Sequence, residues 1–262
     1  MNILDKIFAN KREVLDAKKA SGIMRELKRM SADCPPTRGF ARTLVDSQHQ
    51  PSLIAEVKKA SPVKGMIRQD FDPHAIATAY RDAGVDCLSV LTDVEFFQGS
   101  LENLKIARHS SGLPVLRKDF TVDELDIYEA RVMGADAILL IVYGLSDQQL
   151  TEYRELAELL GMDVLVEAHT EEEGERAMSA GAKLLGFNNR DLTTFETSLH
   201  VAERVIPLFA GRAHVVSESA MSCQEDIERV SSAGARSVLI GTAFCKAPDI
   251  GTKVREVMGW SM

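Results

Sequence analysis

Apolar residues along this chain follow two rhythms. From residue 3 to residue 30 they recur at helical spacing, with Ile3, Leu4, Ile7, Phe8, Val14 and Leu15 on one side, which predicts an amphipathic helix. Cys34-Pro35-Pro36 breaks it, and a second short helix is expected around Gly39 to Asp46. Then the rhythm changes. Short apolar runs alternate with helical segments, as buried parallel strands do. The runs are Leu53–Lys58, Cys87–Leu91, Val115–Lys118, Ala137–Val142, Val164–Glu167, Leu184–Asn188, His214–Glu218 and Ser237–Gly241. From the second run on, each follows a small-residue turn built on Gly84, Gly112, Gly134, Gly161, Gly181, Gly211 or Gly234, where glycine ends a helix in the left-handed conformation.

The interval between runs is that of a strand–helix–strand step. Eight parallel strands, each followed by a helix, predict an α/β fold of the (β/α)8 TIM-barrel type with an N-terminal helical extension. The rival is an open doubly wound sheet, which rarely needs eight equal units, and no G-x-G-x-x-G follows the first strand. No linker or low-complexity stretch divides the chain, so residues 1–262 are expected to form a single barrel domain, with residues 1–50 as the extension.

Composition narrows the function. At 45% hydrophobic, 262 residues can bury a full core. A net charge of −8 with no basic stripe argues against nucleic acid. The longest apolar run, Ala137 to Tyr143, is too short to span a membrane, and the N-terminus lacks the apolar core of a signal peptide. Cys34, Cys87, Cys223 and Cys245 are scattered without a CxxC pair, so neither a zinc site nor a disulfide framework is suggested, and a reducing cytoplasm is expected.

The chemistry gathers at the strand ends. Glu56 and Lys58 lie two apart on the first strand, hence on one face, ahead of a Ser61-to-Gly65 loop. The third strand ends in Arg117-Lys118-Asp119, the fifth in Glu167-Ala168-His169, the sixth in Asn188-Asn189-Arg190-Asp191, the seventh in Ser217-Glu218-Ser219 and the eighth in Gly241-Thr242. Groups that are costly to bury unpaired thus converge on the end of the barrel where active sites sit. The small-residue turns Ser219-Ala220 and Gly241-Thr242 suit a phosphate, since barrel phosphate sites follow the seventh and eighth strands.

Several other residues read as structural or surface: His74, His109, His200 and His214, the pair Cys245 and Trp260, and His169 despite its place beside Glu167. Tyr143 could line the pocket or not. Glu171-Glu172-Glu173 reads as the solvated first turn of a helix.

Ile54-Ala55-Glu56-Val57-Lys58-Lys59-Ala60-Ser61-Pro62, Leu91-Thr92-Asp93 with Phe97-Gln98-Gly99-Ser100, Leu116-Arg117-Lys118-Asp119-Phe120, Gly134 to Ile141, Gly186-Phe187-Asn188-Asn189-Arg190-Asp191-Leu192 and Ser217-Glu218-Ser219 together resemble the indole-3-glycerol phosphate synthase family, in order and in register. The resemblance implies a cofactor-free, metal-free barrel enzyme of tryptophan biosynthesis. Such an enzyme closes the pyrrole ring of 1-(2-carboxyphenylamino)-1-deoxyribulose 5-phosphate with loss of CO2 and water. It implies a small phosphorylated substrate as partner and a monomer, with other enzymes of the pathway open as associates.

By the same resemblance Lys118 is the general acid. Lys58 holds the substrate carboxylate and takes part in proton transfer. Glu56 and Glu167 are the catalytic glutamates, with Glu218 a third in the site. Asn188, Arg190 and Ser219 bind or orient substrate, and the phosphate grip falls on the Ser61–Gly65 loop, Ser61 first, and on Ala220, Gly241 and Thr242. Two positions depart from the family: Val63 stands where serine is usual and Ala220 where glycine is usual. Valine removes a hydroxyl donor, and alanine would be strained at positive φ.

The residues fit that chemistry independently. Ring closure needs a proton for a ketone oxygen, and a lysine whose pKa is lowered among cations could give it. Two rival readings are a related phosphate-binding barrel isomerase, which leaves Lys58 and Lys118 together unexplained, and a non-catalytic ligand-binding paralogue, which rests on Val63 and Ala220 alone.

Overall fold

Parallel strands β1 (Ser52–Val57), β2 (Cys87–Leu91), β3 (Val115–Lys118), β4 (Ala137–Ile141), β5 (Asp163–Ala168), β6 (Leu184–Asn188), β7 (His214–Glu218) and β8 (Ser237–Ile240) pair in sequence, and β8 returns to β1 to close a barrel. The computed structural model describes residues 3–190 and 197–261; Asp191 and Leu192, the end of the sixth-strand motif, lie outside them. Helices follow every strand, among them α4 (Pro73–Asp82) after β1, α8 (Glu171–Ser179) after β5, and α11 (Thr242–Cys245) and α12 (Ile250–Met258) after β8. The glycines expected to end helices, from Gly84 to Gly234, all have φ between 75° and 111°. The barrel is therefore the architecture that the two rhythms predicted.

Alternation along each strand sorts two cores. Leu53, Ala55, Val57, Leu88, Val90, Ile138, Leu140, Val164 and Val166 face outward and pack with the helices. Ile54, Cys87, Leu116, Leu139, Leu165, Leu184, Val216 and Leu239 face inward and fill the barrel. The inward set positions the site, because a residue two beyond an inward one also points inward. Glu56 follows Ile54, Lys118 follows Leu116, Glu167 follows Leu165, Gly186 follows Leu184, Glu218 follows Val216 and Gly241 follows Leu239.

The N-terminal extension differs in part from its expectation. The helix foreseen over residues 3–30 is two helices, α1 (Ile3–Ala20) and α2 (Ile23–Ala32), because Gly22 takes φ 75° between them. The turn separates two apolar stripes that one straight helix could not lay against one surface. Val14, expected on the buried side, is 45% exposed. The short helix is α3 (Phe40–Val45), whose Phe40 and Leu44 pack with Ile54 and Cys87.

Helix α1 lies across the C-terminal mouth with Leu4, Ile7 and Phe8 buried, and Phe8 meets Phe120 edge-on at 5.6 Å. Its cations anchor it: Lys11 reaches Asp119 at 2.5 Å and Asp93 at 3.5 Å, and Lys18 reaches Glu129 at 2.6 Å. Buried Arg117 ties the same cluster together through Asp119 at 3.2 Å and Glu129 at 3.0 Å. Burial favours the neutral acid at Asp119, but Arg117 and Lys11 outweigh it and hold this carboxyl far below its usual range.

Candidate active site

The strand ends enclose a cavity of about 350 Å³, in the range of small-molecule sites. Its wall includes Glu56, Lys58, Lys118, Glu167, Asn188, Arg190, Glu218, Ser219, Ala220, Gly241 and Thr242, with Ile3, Leu4 and Ile7 of α1 supplying an apolar roof. Eleven of the twelve expected site residues therefore share one cavity. The exception is Ser61. It is buried, and its hydroxyl accepts the Lys64 N–H at 3.2 Å, closing the turn of a small hairpin. Pro62, Val63 and Lys64 face the cavity in its place. A serine at the start of a tight turn satisfies the backbone before it can serve a ligand.

Lys118 is the centre of the charge arrangement. Its ammonium donates to Glu167 Oε2 at 2.7 Å and to Glu218 Oε2 at 2.6 Å. Burial disfavours the charge, but Glu167, Glu218 and Glu56 outweigh it, and the pKa rises above that of a free lysine. This corrects the lowered pKa expected from a cluster of cations. Across the closed barrel the nearest charges are acids, and the second lysine, Lys58, is paired with Glu56.

The two glutamates beside Lys118 are driven apart. Glu167 takes one hydrogen bond on each oxygen, from Lys118 on Oε2 and from Asn188 Nδ2 on Oε1 at 3.2 Å. Burial raises its pKa, but Lys118 and His169 pull it below the ordinary range. At Glu218 burial, joined by the neighbouring Glu167, prevails over Lys118, and the pKa rises well above the ordinary range. Two carboxylates facing one ammonium cannot both be ionised cheaply, so Glu218 takes up a proton first. Its Oε1 is buried with no hydrogen-bond partner among the described residues.

Two glycines make this geometry fit: Gly186, which sequence reasoning passed over, and Gly241, which it gave only to the phosphate grip. A Cβ on Gly186 would fall onto the Glu218 carboxylate, and one on Gly241 onto the Glu56 side chain. Each is an inward position with no side chain, beside a strand that carries an inward acid. For Gly186, glycine inside a strand was the available signal, since it marks a close approach. Asn189 plays a different part from Asn188. Its amide donates to Ser217 Oγ at 2.9 Å and to the Glu218 carbonyl at 3.0 Å, tying β6 to β7.

Ser219 and Ala220 both have positive φ, 65° and 66°, and line the cavity with Gly241 and Thr242. The Ser219 N–H donates to the Leu239 carbonyl at 3.3 Å, whereas the first N–H groups of α11 lack intrahelical partners. Lys64, within the loop expected to grip phosphate, and Lys246, which was not foreseen, also line this cavity. Burial and then Arg190, Lys246 and Lys58 lower the Lys64 pKa, as expected where cations gather around a site for an anion.

Residues set aside on sequence stay aside, with one exception. His74 meets Ser110 at 2.8 Å and His214 meets Ser237 at 2.6 Å, while Tyr143, left open on sequence, donates to Asp5 at 2.9 Å and is not among the residues that line the cavity. Glu171 to Glu173 form the first turn of α8, capped by Thr170. The exception is His169, whose ring stands 3.6 Å from Glu167. Among the described residues no cluster of three or more ligating side chains could hold a metal, and no helix is long and apolar enough to cross a membrane.

A closed barrel whose cavity gathers acids, ammonium groups and small-residue turns with further cations beside them defines a (β/α)8-barrel enzyme for a small anionic substrate. The chain belongs to the indole-3-glycerol phosphate synthase family, whose model matches residues 4–257. It is accordingly a decarboxylating lyase of tryptophan biosynthesis that acts on a small phosphorylated substrate, forming indole-3-glycerol phosphate from 1-(2-carboxyphenylamino)-1-deoxyribulose 5-phosphate. The fold recurs in distant proteins of solved structure. A tryptophan synthase α-subunit from Pyrococcus furiosus is 17% identical, with TM-score 0.62 over 80% of this chain and 99% of that one. A 3-hexulose-6-phosphate synthase is 16% identical, with TM-score 0.60 over 80% and 100%. The N-acetylmannosamine-6-phosphate 2-epimerase of Clostridium perfringens is 13% identical, with TM-score 0.59 over 74% and 87%. At these identities the likeness is one of fold.

Proposed function

We propose that the residues of this mouth carry the family's reaction as a carboxy-lyase, with Lys118 as the general acid. The observation that carries the reading is the Lys118 ammonium held by Glu167 and Glu218, on the wall of one cavity that also takes in the Glu56–Lys58 pair and the cationic turns. The phosphate rests against Ser219, Ala220, Gly241 and Thr242, with Lys64, Arg190 and Lys246 nearby. That fixes the sugar, and the carboxyphenyl ring meets the apolar wall of Leu139, Ile141 and Ile7. Lys58 holds the carboxylate beside the bond that will form.

The ring carbon bearing the carboxylate attacks the ketone, and Lys118 gives the ketone oxygen its proton. Because the Lys118 pKa is raised, this acid is always loaded. Loss of CO2 returns its bonding pair to the ring and restores aromaticity. Dehydration then removes the new hydroxyl with one proton, supplied through the hydrogen-bonded Lys58 and Glu56, while a proton leaves the carbon beside the nitrogen. Glu167, kept ionised, takes that proton, and Glu218 reloads Lys118. One proton is taken up from solvent per turnover, matching the carboxylate charge that leaves as neutral CO2.

Purified protein mixed with the carboxyphenylamino sugar phosphate should develop indole-like fluorescence and release CO2. No fluorescence at millimolar substrate, with binding intact, would favour a ligand-binding paralogue. We also propose a monomer working in the cytoplasm, in keeping with four free cysteines.

A further inference from the structure

His169 ends the run of β5 and belongs to no step above. Its backbone N–H donates to Glu173 Oε2 at 2.7 Å, and its ring Nδ1 stands 3.3 Å from the same oxygen. Glu173 is itself fixed, since its N–H donates to the Thr170 hydroxyl at the start of α8. The cap of α8 thus clamps the imidazole on one side. On the other, Nε2 is buried without a hydrogen-bond partner and lies 3.6 Å from Glu167 Oε1, the oxygen that also accepts from Asn188. With Nδ1–H directed at Glu173, a neutral ring would turn the Nε2 lone pair on a carboxylate. A doubly protonated ring removes that repulsion.

We propose that His169 is a positioning residue for Glu167: its imidazolium, anchored by Glu173, holds Glu167 as an anion turned toward Lys118. The inference rests on the catalytic reading of Glu167. The charged groups facing the ring are Glu167 from β5, Glu173 from α8 and Glu218 from β7, all acids. Burial works against protonation, but these acids outweigh it, and the ring pKa lies above the usual histidine value. The sign follows. A cation beside Glu167 lowers the pH at which that carboxylate loses its proton. Removing the cation moves the acid limb of the kcat profile to higher pH.

Asparagine can replace the Nδ1 donor toward Glu173 but cannot reach Glu167. Glutamine can reach Glu167 without charge. His169→Asn should lower kcat about tenfold at neutral pH, leave KM within about twofold and shift the acid limb upward. His169→Gln should recover part of kcat but keep the shifted limb. Independently of turnover, the His169 ring followed by nitrogen-resolved NMR should titrate above the ordinary histidine value in the wild type. It should fall toward that value in Glu167→Gln. Normal kcat and an unmoved acid limb in His169→Asn would overturn the proposal. So would a lower kcat with an unmoved limb, which means lost packing only. An identical ring titration with and without the Glu167 charge would overturn this inference alone. A Glu167→Gln enzyme that keeps its kcat would overturn the catalytic reading beneath it, whatever the NMR gives.

Discussion

Ala220→Gly tests the turn that carries the proposed phosphate site. Ala220 has φ 66°, and its neighbour Ser219 has φ 65°. An L-residue in the left-handed region costs about 1–2 kcal/mol, so glycine should relieve about 1.5 kcal/mol. Two terms oppose this. Glycine widens the unfolded ensemble at a cost of about 0.4–1 kcal/mol. The methyl group is partly buried against the core, and losing it costs about half of a fully buried CH2, or about 0.4 kcal/mol. The net is a stabilisation of about 0.4 kcal/mol, or about 1 °C in Tm for a chain of this size. Ala220 also lines the cavity, so removing its methyl should loosen crowding at the phosphate. Phosphate contacts are made about equally in ground and transition states, which puts the effect in KM. Calorimetry and steady-state fluorescence should show Tm level or slightly raised, KM lowered about two- to fivefold and kcat within about twofold. A Tm several degrees lower would mean that the left-handed turn is not strained. A tenfold change in kcat at constant KM would mean that the turn acts on the reacting atoms.

Four further outcomes follow from single contacts. Lys118→Met should lower kcat by about 10² to 10⁴ while substrate still binds, and more than a third of wild-type kcat would remove Lys118 from the mechanism. Gly186→Ala should fold yet lose kcat, because its methyl displaces the Glu218 carboxylate; a crystal structure with Glu218 unmoved would refute that cause. Lys11→Met should lower Tm by several degrees, since removing one partner of a largely buried ion pair costs about 3–5 kcal/mol, and a change under a degree would show that α1 does not depend on Asp119 and Asp93. In acid the stabilising contribution of Asp119 should disappear. Its folded pKa is depressed, so the contribution is whole above the ordinary aspartate value and is lost as pH falls below it; a variant Asp119→Asn with the same acid limb of stability would refute this.

The barrel was legible in sequence because strand burial, helix caps and breaks are local. Alternation decides which residues face inward, and the glycines after the helices announce where each strand begins. The rule that barrel sites lie at the C-terminal ends of strands brought Glu56, Lys118, Glu167 and Glu218 to one mouth from the sequence alone. What lay beyond the sequence is who meets whom across the barrel. Lys118 was expected among cations, yet closure sets it between Glu167 and Glu218, strands away, while Lys58 is taken by Glu56. That reversed the sign of its pKa shift. Ser61 turned its hydroxyl into its own hairpin, Gly22 split one helix into two, and His169 came to stand between an α8 cap and the Glu167 carboxylate. Periodicity fixes the face a side chain takes, but charge partners depend on strand stagger and ring closure, which bring together residues dozens of positions apart and are set only when the whole barrel shuts.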